Sequence, residues 1–235
     1  MVGDERQLRG RQGRLAFAYL VSESIRPVSR EELARAVWGD ELAPSWESAL
    51  NALMSRIRRL LSTEALRVGG VSLAHGLGKY QLLLPADVWI DLEAATSAVD
   101  AAENILRSGD YRRVLGPATV AVAITRRPFL AGVEGEWVES QRRKLERQLV
   151  RALDCISKMW ILAEDPALAI ENCIEAVRID PYRESSYRLL MQAYVASGNP
   201  SEAVRAYHRL RELLAEELGT RPSGDTEALY LGILD

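Results

Sequence analysis

Apolar residues along this chain keep two different periods. Through residues 1–85, helical stripes give way to brief strand-like runs; from Asp91 onward only the helical period remains. Leu15, Ala18, Tyr19 and Ser22 fall at helical spacing and predict a first helix over 12–24, with Gly10 and Gly13 near its head and Pro27-Val28 breaking it. Ser29-Arg30-Glu31-Glu32 reads as a capping box, in which the serine hydroxyl takes a first-turn N–H and Glu32 reaches back. Leu33, Ala36 and Val37 give the second helix a short apolar face, and Gly39 stops it. After the connection Leu42-Ala43-Pro44-Ser45, a third helix is predicted over 46–61, with Ser45 as N-cap and Glu47 at the positive helix start. Leu50, Leu53, Met54, Ile57, Leu60 and Leu61 line one side of it; Ser48, Asn51, Ala52, Ser55, Arg56 and Arg59 line the other.

Three β-prone runs follow: Leu66-Arg67-Val68, Ser72-Leu73-Ala74-His75, and the six residues from Lys79 to Leu84. Gly69-Gly70 and Gly76-Leu77-Gly78 separate them as hairpin punctuation, and Pro85-Ala86-Asp87 ends the region. Helices are then expected over 92–108, 111–124, 136–163, 166–179, 183–197, 200–218 and 223–234, with a domain boundary at 85–91. Gly116-Pro117 should break the second of these, because proline lacks an N–H and clashes with the preceding turn. A repeat runs through this half. Ala169, Cys173 and Ala176 recur as Ala203, Tyr207 and Leu210, and Asp165-Pro166 recurs as Asn199-Pro200, each 34 residues on. That is the tetratricopeptide period, with each Asp/Asn-Pro pair reading as an N-cap followed by proline at the first helical position.

Composition narrows the function. The chain has 30 Lys+Arg against 33 Asp+Glu, a net charge of −3, which looks wrong for a nucleic-acid binder. The average conceals its distribution: residues 1–95 hold 12 and 12, and residues 96–235 hold 18 and 21, so the acidity belongs to the helical half. Cys155 and Cys173 are too few for a disulfide framework and read as small, reduced, buried hydrophobes of a cytoplasmic protein. Arg6, Arg9, Arg11 and Arg14 precede an apolar run at the short limit for a signal peptide, but Ser22-Glu23-Ser24 offers no cleavage site, so export is not expected. No window approaches a membrane span. His75 and His208 are far apart and far from cysteine, leaving little material for a metal site, and no nucleotide-binding or triad motif is present. Neither catalysis nor a cofactor is expected.

The order helix, turn, amphipathic helix, hairpin is that of a winged helix-turn-helix. A major groove admits one α-helix, held by an apolar underside while short polar or cationic side chains face the bases. Ser48, Asn51 and Ser55 suit base edges, Ala52 a thymine methyl, and Arg56 and Arg59 a guanine or a phosphate. Glu47 runs against this and is read as serving its own helix start. Lys79, with His75 across the hairpin turn, is read as a wing contact, and Arg9, Arg11 and Arg14 as phosphate contacts. The basic run Arg142-Arg143-Lys144, Arg147, Arg151 is read as a solvated face paired with Glu139 and Glu146. Trp38, Trp46, Trp89, Trp137 and Trp160 are read as packing residues, since they do not interleave with basic ones.

Ser29-Arg30-Glu31-Glu32-Leu33, Val37-Trp38-Gly39-Asp40, Ala49-Leu50, the stretch Ser55–Leu61 and Gly78-Lys79-Tyr80-Gln81-Leu82 together resemble SARP-type regulators, the Streptomyces antibiotic regulatory proteins, whose DNA-binding domain is an OmpR-like winged helix. The second half looks like their bacterial transcriptional activation domain. Arg127-Pro128-Phe129-Leu130 and Glu136-Trp137-Val138 are similar to its opening, and Leu214-Ala215-Glu216-Glu217-Leu218-Gly219 with Pro222 to its end. The resemblance implies an activator that binds repeated promoter sites and contacts RNA polymerase, with helix 46–61 for recognition and 72–84 as the wing. Ser48, Asn51, Ser55, Arg56 and Arg59 inherit that expectation by position. The chain departs from the family in having room for only one strand, Val2 to Leu8, before helix one, and in carrying Ser48 and Glu47 where asparagine and a small residue are usual.

The fold expected is therefore mainly α: a winged helix-turn-helix with a small hairpin wing over 1–85, then an all-α tetratricopeptide-like domain over 91–235. Its partners would be double-stranded promoter DNA and, through the repeats, RNA polymerase or a second protomer, with a homodimer on DNA and no membrane. Two other readings compete: a protein-interaction scaffold with a degenerate winged helix, and one piece of a larger multidomain regulator.

Overall fold

The computed structural model describes residues 10–63, 66 and 68–234. The strand expected at Val2–Leu8, and Arg6, Arg9 and Arg67, lie outside them. The chain divides into two compact units, Met1–Ile90 with Pro128–Arg142, and Asp91–Arg127 with Arg143–Asp235.

In the first unit, helix α1 (Arg11–Ser22) buries Leu15, Ala16, Tyr19 and Leu20. Where Pro27-Val28 was expected only to break the chain, Val28–Ser29 forms a two-residue strand, β1. Helix α2 (Arg30–Trp38) opens on the capping box read from the sequence: the Glu32 N–H donates to Ser29 Oγ at 3.0 Å, and the Ser29 N–H donates to the Glu32 carboxylate at 3.5 Å. Glu32 also accepts from the Tyr19 hydroxyl at 2.8 Å and from Arg26 at 3.1 Å, so one carboxylate ties α1 and the connecting loop to the start of α2. Gly39 ends that helix at a φ of 88°, a conformation that glycine adopts without strain.

Helix α3 (Trp46–Leu61) follows the predicted bounds, and the six apolar residues predicted for its inner face are its buried ones. Ser45 stands at its N-cap, but its side chain makes no capping bond. Its ψ of 10° is far from the extended conformation that aims a cap hydroxyl at the first turn, and its own carbonyl accepts from Ser48 and Ala49 instead. Leu66 and Val68, expected in a strand, are helical. The Val71 N–H returns to the Leu66 carbonyl at 3.1 Å and closes a turn that a strand would not make.

Strands β2 (Ser72–Gly76) and β3 (Lys79–Leu83) form the hairpin, with Ser72 opposite Leu83 and Gly76 opposite Lys79. β1 pairs antiparallel with the other side of β3, Val28 opposite Tyr80, giving the order β1-β3-β2. The core beneath is built from Leu20, Val28, Leu33, Met54, Ile57 and Leu82, among others. Residues 128–142 complete this unit: Val133 and Val138 are buried with Leu15, and the Trp137 ring lies 5.1 Å from that of Tyr19.

The second unit holds α4 (Asp91–Arg107), a 3₁₀ turn (Tyr111–Arg113), α5 (Leu115–Thr125), the larger part of α6 (Glu136–Leu162), α7 (Pro166–Ile179), α8 (Glu184–Ala196), α9 (Pro200–Leu218) and α10 (Gly224–Leu234). Gly116-Pro117 does not interrupt α5. It falls in the first turn, where the missing N–H has no intrahelical partner to lose, and the expected break lies ahead of it in the 3₁₀ turn. The 34-residue repeat is a packing repeat: Ala169, Cys173 and Ala176 are fully buried, as are Ala203, Tyr207 and Leu210 to within 2%. Pro166 and Pro200 begin their helices as expected, although Asp165 and Asn199 cap neither with a side chain, their backbones being turned away from the extended conformation. Burial pushes the Cys155 and Cys173 thiols up to about 12, so both remain protonated and inert at neutral pH.

Glu32 carries a pH signature. The Arg26 guanidinium holds its carboxyl below the ordinary glutamate value of 4.5. The stabilisation is thus complete above 4.5 and is lost as pH falls through the folded-state value. Arg26→Gln is expected to lower stability at pH 7 by about 0.5–1 kcal/mol, the scale of a largely exposed pair. Urea unfolding should show that difference shrinking to nothing at acid pH; a difference independent of pH would assign the effect to packing.

Candidate nucleic-acid interface

The amphipathicity of α3 settles which of its side chains face outward. With Leu50, Leu53, Met54, Ile57, Leu60 and Leu61 inside, the residues at 48, 51, 52, 55, 56 and 59 form one continuous outer stripe, and all six are exposed. The Ser55 hydroxyl donates to the Asn51 carbonyl at 2.9 Å, leaving its oxygen lone pairs outward. Arg56 Nε reaches the Ala52 carbonyl at 3.4 Å, which steers the guanidinium along the helix surface. Among the described residues neither Arg56 nor Arg59 has a carboxylate within salt-bridge distance, in contrast to Arg26, Arg35, Arg126 and Arg142. Glu47 is exposed in the first turn of α3, where the helix dipole favours a carboxylate.

The remaining predicted contacts sit on other elements of the same unit. Arg11 and Arg14 are exposed in the first turns of α1. Lys79 is exposed beside the hairpin turn, opposite Gly76; His75 pairs instead with Tyr80 and stacks on its ring at 4.7 Å. The hairpin turn is Leu77-Gly78, with φ of 50° and 73°, the two-residue turn in which both positions are left-handed. Leu77 is fully solvent-exposed there.

One cation escaped the sequence reading. Arg58, on the flank of the α3 stripe, lies over the Tyr80 ring at 5.8 Å, so strand β3 braces the helix from beneath. The cluster of cations at 56, 58 and 59 was its only signal, and nothing in the spacing placed Tyr80 below it.

Other charged groups are structural or carry the wrong sign. Arg142 donates to the carbonyls of Phe129, Leu130 and Val133 at 2.9–3.2 Å and pairs with Glu139, as expected; it stitches the 128–133 loop. Arg151 pairs with Glu103 and Asp100 of α4 rather than along its own helix. A groove of about 830 Å³ beside α2 is lined by Glu31, Glu32, Asp40, Glu134 and Glu136, with Arg35 as its one lining cation among the described residues, and this acidic excess would repel a phosphate backbone. Trp38, Trp46 and Trp137 pack on the first core and Trp160 on the second, whereas Trp89 is 67% exposed. Among the described residues no group of His, Cys, Asp and Glu could hold a metal, and no helix is long and apolar enough to cross a membrane.

Residues 90–234 match the family model described as the bacterial transcriptional activator domain. The chain belongs to that family. The likeness to SARP-type regulators extends across the rest of it. It is 29% identical over 223 residues to the regulatory protein AfsR of Streptomyces coelicolor, covering 95% of this chain and 22% of that protein. It is 25% identical over 222 residues to the transcriptional regulatory protein MoaR1 of Mycobacterium tuberculosis, covering 94% and 71%. The structure of Mycobacterium tuberculosis EmbR in complex with a low affinity phosphopeptide superposes with a TM-score of 0.84 at 25% identity, over 96% of this chain and 59% of that one. This member of the family thus spans about a fifth of AfsR and three-fifths of EmbR. The winged helix and the tetratricopeptide-like helices are the fold of this family member, and its relatives are regulators of transcription.

The turn offers a direct check on the wing. A β-unbranched but bulky leucine at φ 50° is strained, and asparagine tolerates that conformation. Leu77→Asn buries nothing less and should stabilise the chain by about 0.5–1 kcal/mol in urea unfolding. A loss of stability would mean that Leu77 is held by contacts the hairpin does not show.

Proposed function

We propose that this chain is a DNA-binding transcriptional regulator acting as an activator in the cytoplasm, with residues 1–85 reading promoter DNA and residues 91–235 contacting RNA polymerase or a second protomer. The observation that carries the reading is the exposed α3 stripe. It holds two arginines without carboxylate partners among the described residues, an asparagine, two serines and an alanine, backed by a buried apolar face and followed by a wing. In a major groove Asn51 would take the bidentate donor–acceptor edge of adenine, Ser48 and Ser55 single base-edge bonds, and Ala52 a thymine methyl. Arg56 and Arg59 would take guanine or phosphate, and Lys79, Arg11 and Arg14 the flanking phosphates. Two protomers on adjacent repeats about one helical turn apart would add their modest individual affinities. The regulatory names of the relatives support this reading.

With the double variant Arg56→Ala plus Arg59→Ala, a mobility shift on DNA selected from random sequence should show at least a tenfold loss of affinity. The slope of log affinity against log salt should also become shallower by about two, one for each cation removed. Unchanged affinity and slope would remove α3 from the interface.

A further inference from the structure

The second unit contains a cavity of about 390 Å³ to which three helices each present one side. From α6 come Arg151, Asp154, Cys155 and Lys158, at i, i+3, i+4 and i+7. From α8 come Ser185, Arg188, Leu189 and Gln192 at the same spacing, and from α4 come Glu103 and Leu106. Arg183, just before α8, completes the wall. Such spacing turns a continuous stripe of each helix toward the same hollow.

Its charges do not cancel. Arg151 is consumed by Glu103 and Asp100, and Arg183 by Asp154 at 3.0 Å. Asp154 is further occupied by the Ser186 hydroxyl at 2.7 Å. Lys158 and Arg188 have no carboxylate within salt-bridge distance among the described residues. Arg188 donates one N–H to Thr226 Oγ1 at 3.0 Å, and nearby Glu184 is engaged by Ser223 and Thr226. The lining thus carries four cations, Arg151, Lys158, Arg183 and Arg188, against the two carboxylates of Glu103 and Asp154, with Glu184 near Arg188, the Gln192 amide beside them and Leu106 and Leu189 as apolar wall.

We infer that this cavity, on the helices we propose as the protein-contacting half, takes an acidic peptide segment of a partner protein, with one carboxylate on Lys158, one on Arg188 and an apolar side chain against Leu106 and Leu189. Charge complementarity selects the occupant. A peptide can set one carboxylate on Lys158 and another on Arg188, away from Glu103 and Asp154, and place a leucine between. The volume suits a few side chains, not a duplex.

The test uses the whole chain and two fluorescein-labelled decapeptides, one of Glu and Leu and one with every Glu replaced by Gln, read by fluorescence anisotropy. The acidic peptide should bind saturably and the Gln peptide should not. Lys158→Glu should weaken the acidic peptide about tenfold or more. Because Lys158 is exposed and unpaired, the melting temperature should stay unchanged; if it falls, Lys158→Met is read in its place. Affinity for selected DNA should be the same in this variant, and Arg56→Ala plus Arg59→Ala should leave peptide affinity intact, so that failure here and failure of the DNA-binding reading are separable. No saturable binding, equal binding of the Gln peptide, indifference to Lys158, or loss of DNA rather than peptide binding would each overturn the inference.

Discussion

The burial of one side of α3 is the constraint from which the first unit follows. Five of its six buried apolar side chains pack into a single core with Leu20 of α1, Leu33 of α2 and Leu82 of β3, at roughly 1.5–3 kcal/mol for each side chain buried. Rotating the helix would trade that whole stripe for the polar one, so its orientation is fixed far more firmly than any surface contact could fix it. The exposed stripe is the necessary remainder. What those residues meet is a separate matter from why they point outward, and only the second is decided by packing.

Long periodic segments were therefore the legible part of the fold. The bounds of α3, α7 and α9 match expectation because each combines an apolar stripe with a clear start: the Pro44-Ser45 connection, Pro166 and Pro200. The two-residue strand β1 was not legible, since two residues carry no period and its existence depends on β3 lying alongside. Leu66 and Val68 failed for a related reason. A three-residue run of β-prone side chains is too short to outweigh a backbone turn closed by Val71 onto Leu66. Caps divided along the same line: Ser29 and Glu32 satisfy each other within four residues, whereas Ser45, Asp165 and Asn199 have the right chemistry on a backbone that aims it elsewhere.

The stripe itself was read residue by residue from helical spacing, and every member is exposed. What spacing could not reach was contact between elements distant in sequence. Arg58 over Tyr80 needs the hairpin brought under the helix, and Arg142 on the carbonyls of Phe129, Leu130 and Val133 needs a loop folded back onto its own following helix. Helical i,i+3 spacing foresaw the Arg142–Glu139 pair but gave Arg151 the wrong partners, because two carboxylates on α4 lie closer than any on its own helix. Local rules thus find a cation; tertiary packing decides whether it is spent.

That distinction bears on the charge balance. A net of zero over residues 1–95 suggests indifference to polyanions only if every charge counts equally. It does not. Arg26 and Arg35 are neutralised by Glu23, Glu32 and Glu31, while Glu31 and Asp40 also line a groove beside α2 whose sign repels phosphate. Among the described residues no carboxylate neutralises Arg56 or Arg59 on α3. At physiological salt, charges act over a screening length of about 8 Å. A phosphate approaching α3 therefore responds to those nearby cations, and a total taken over the whole unit describes no field that any ligand meets.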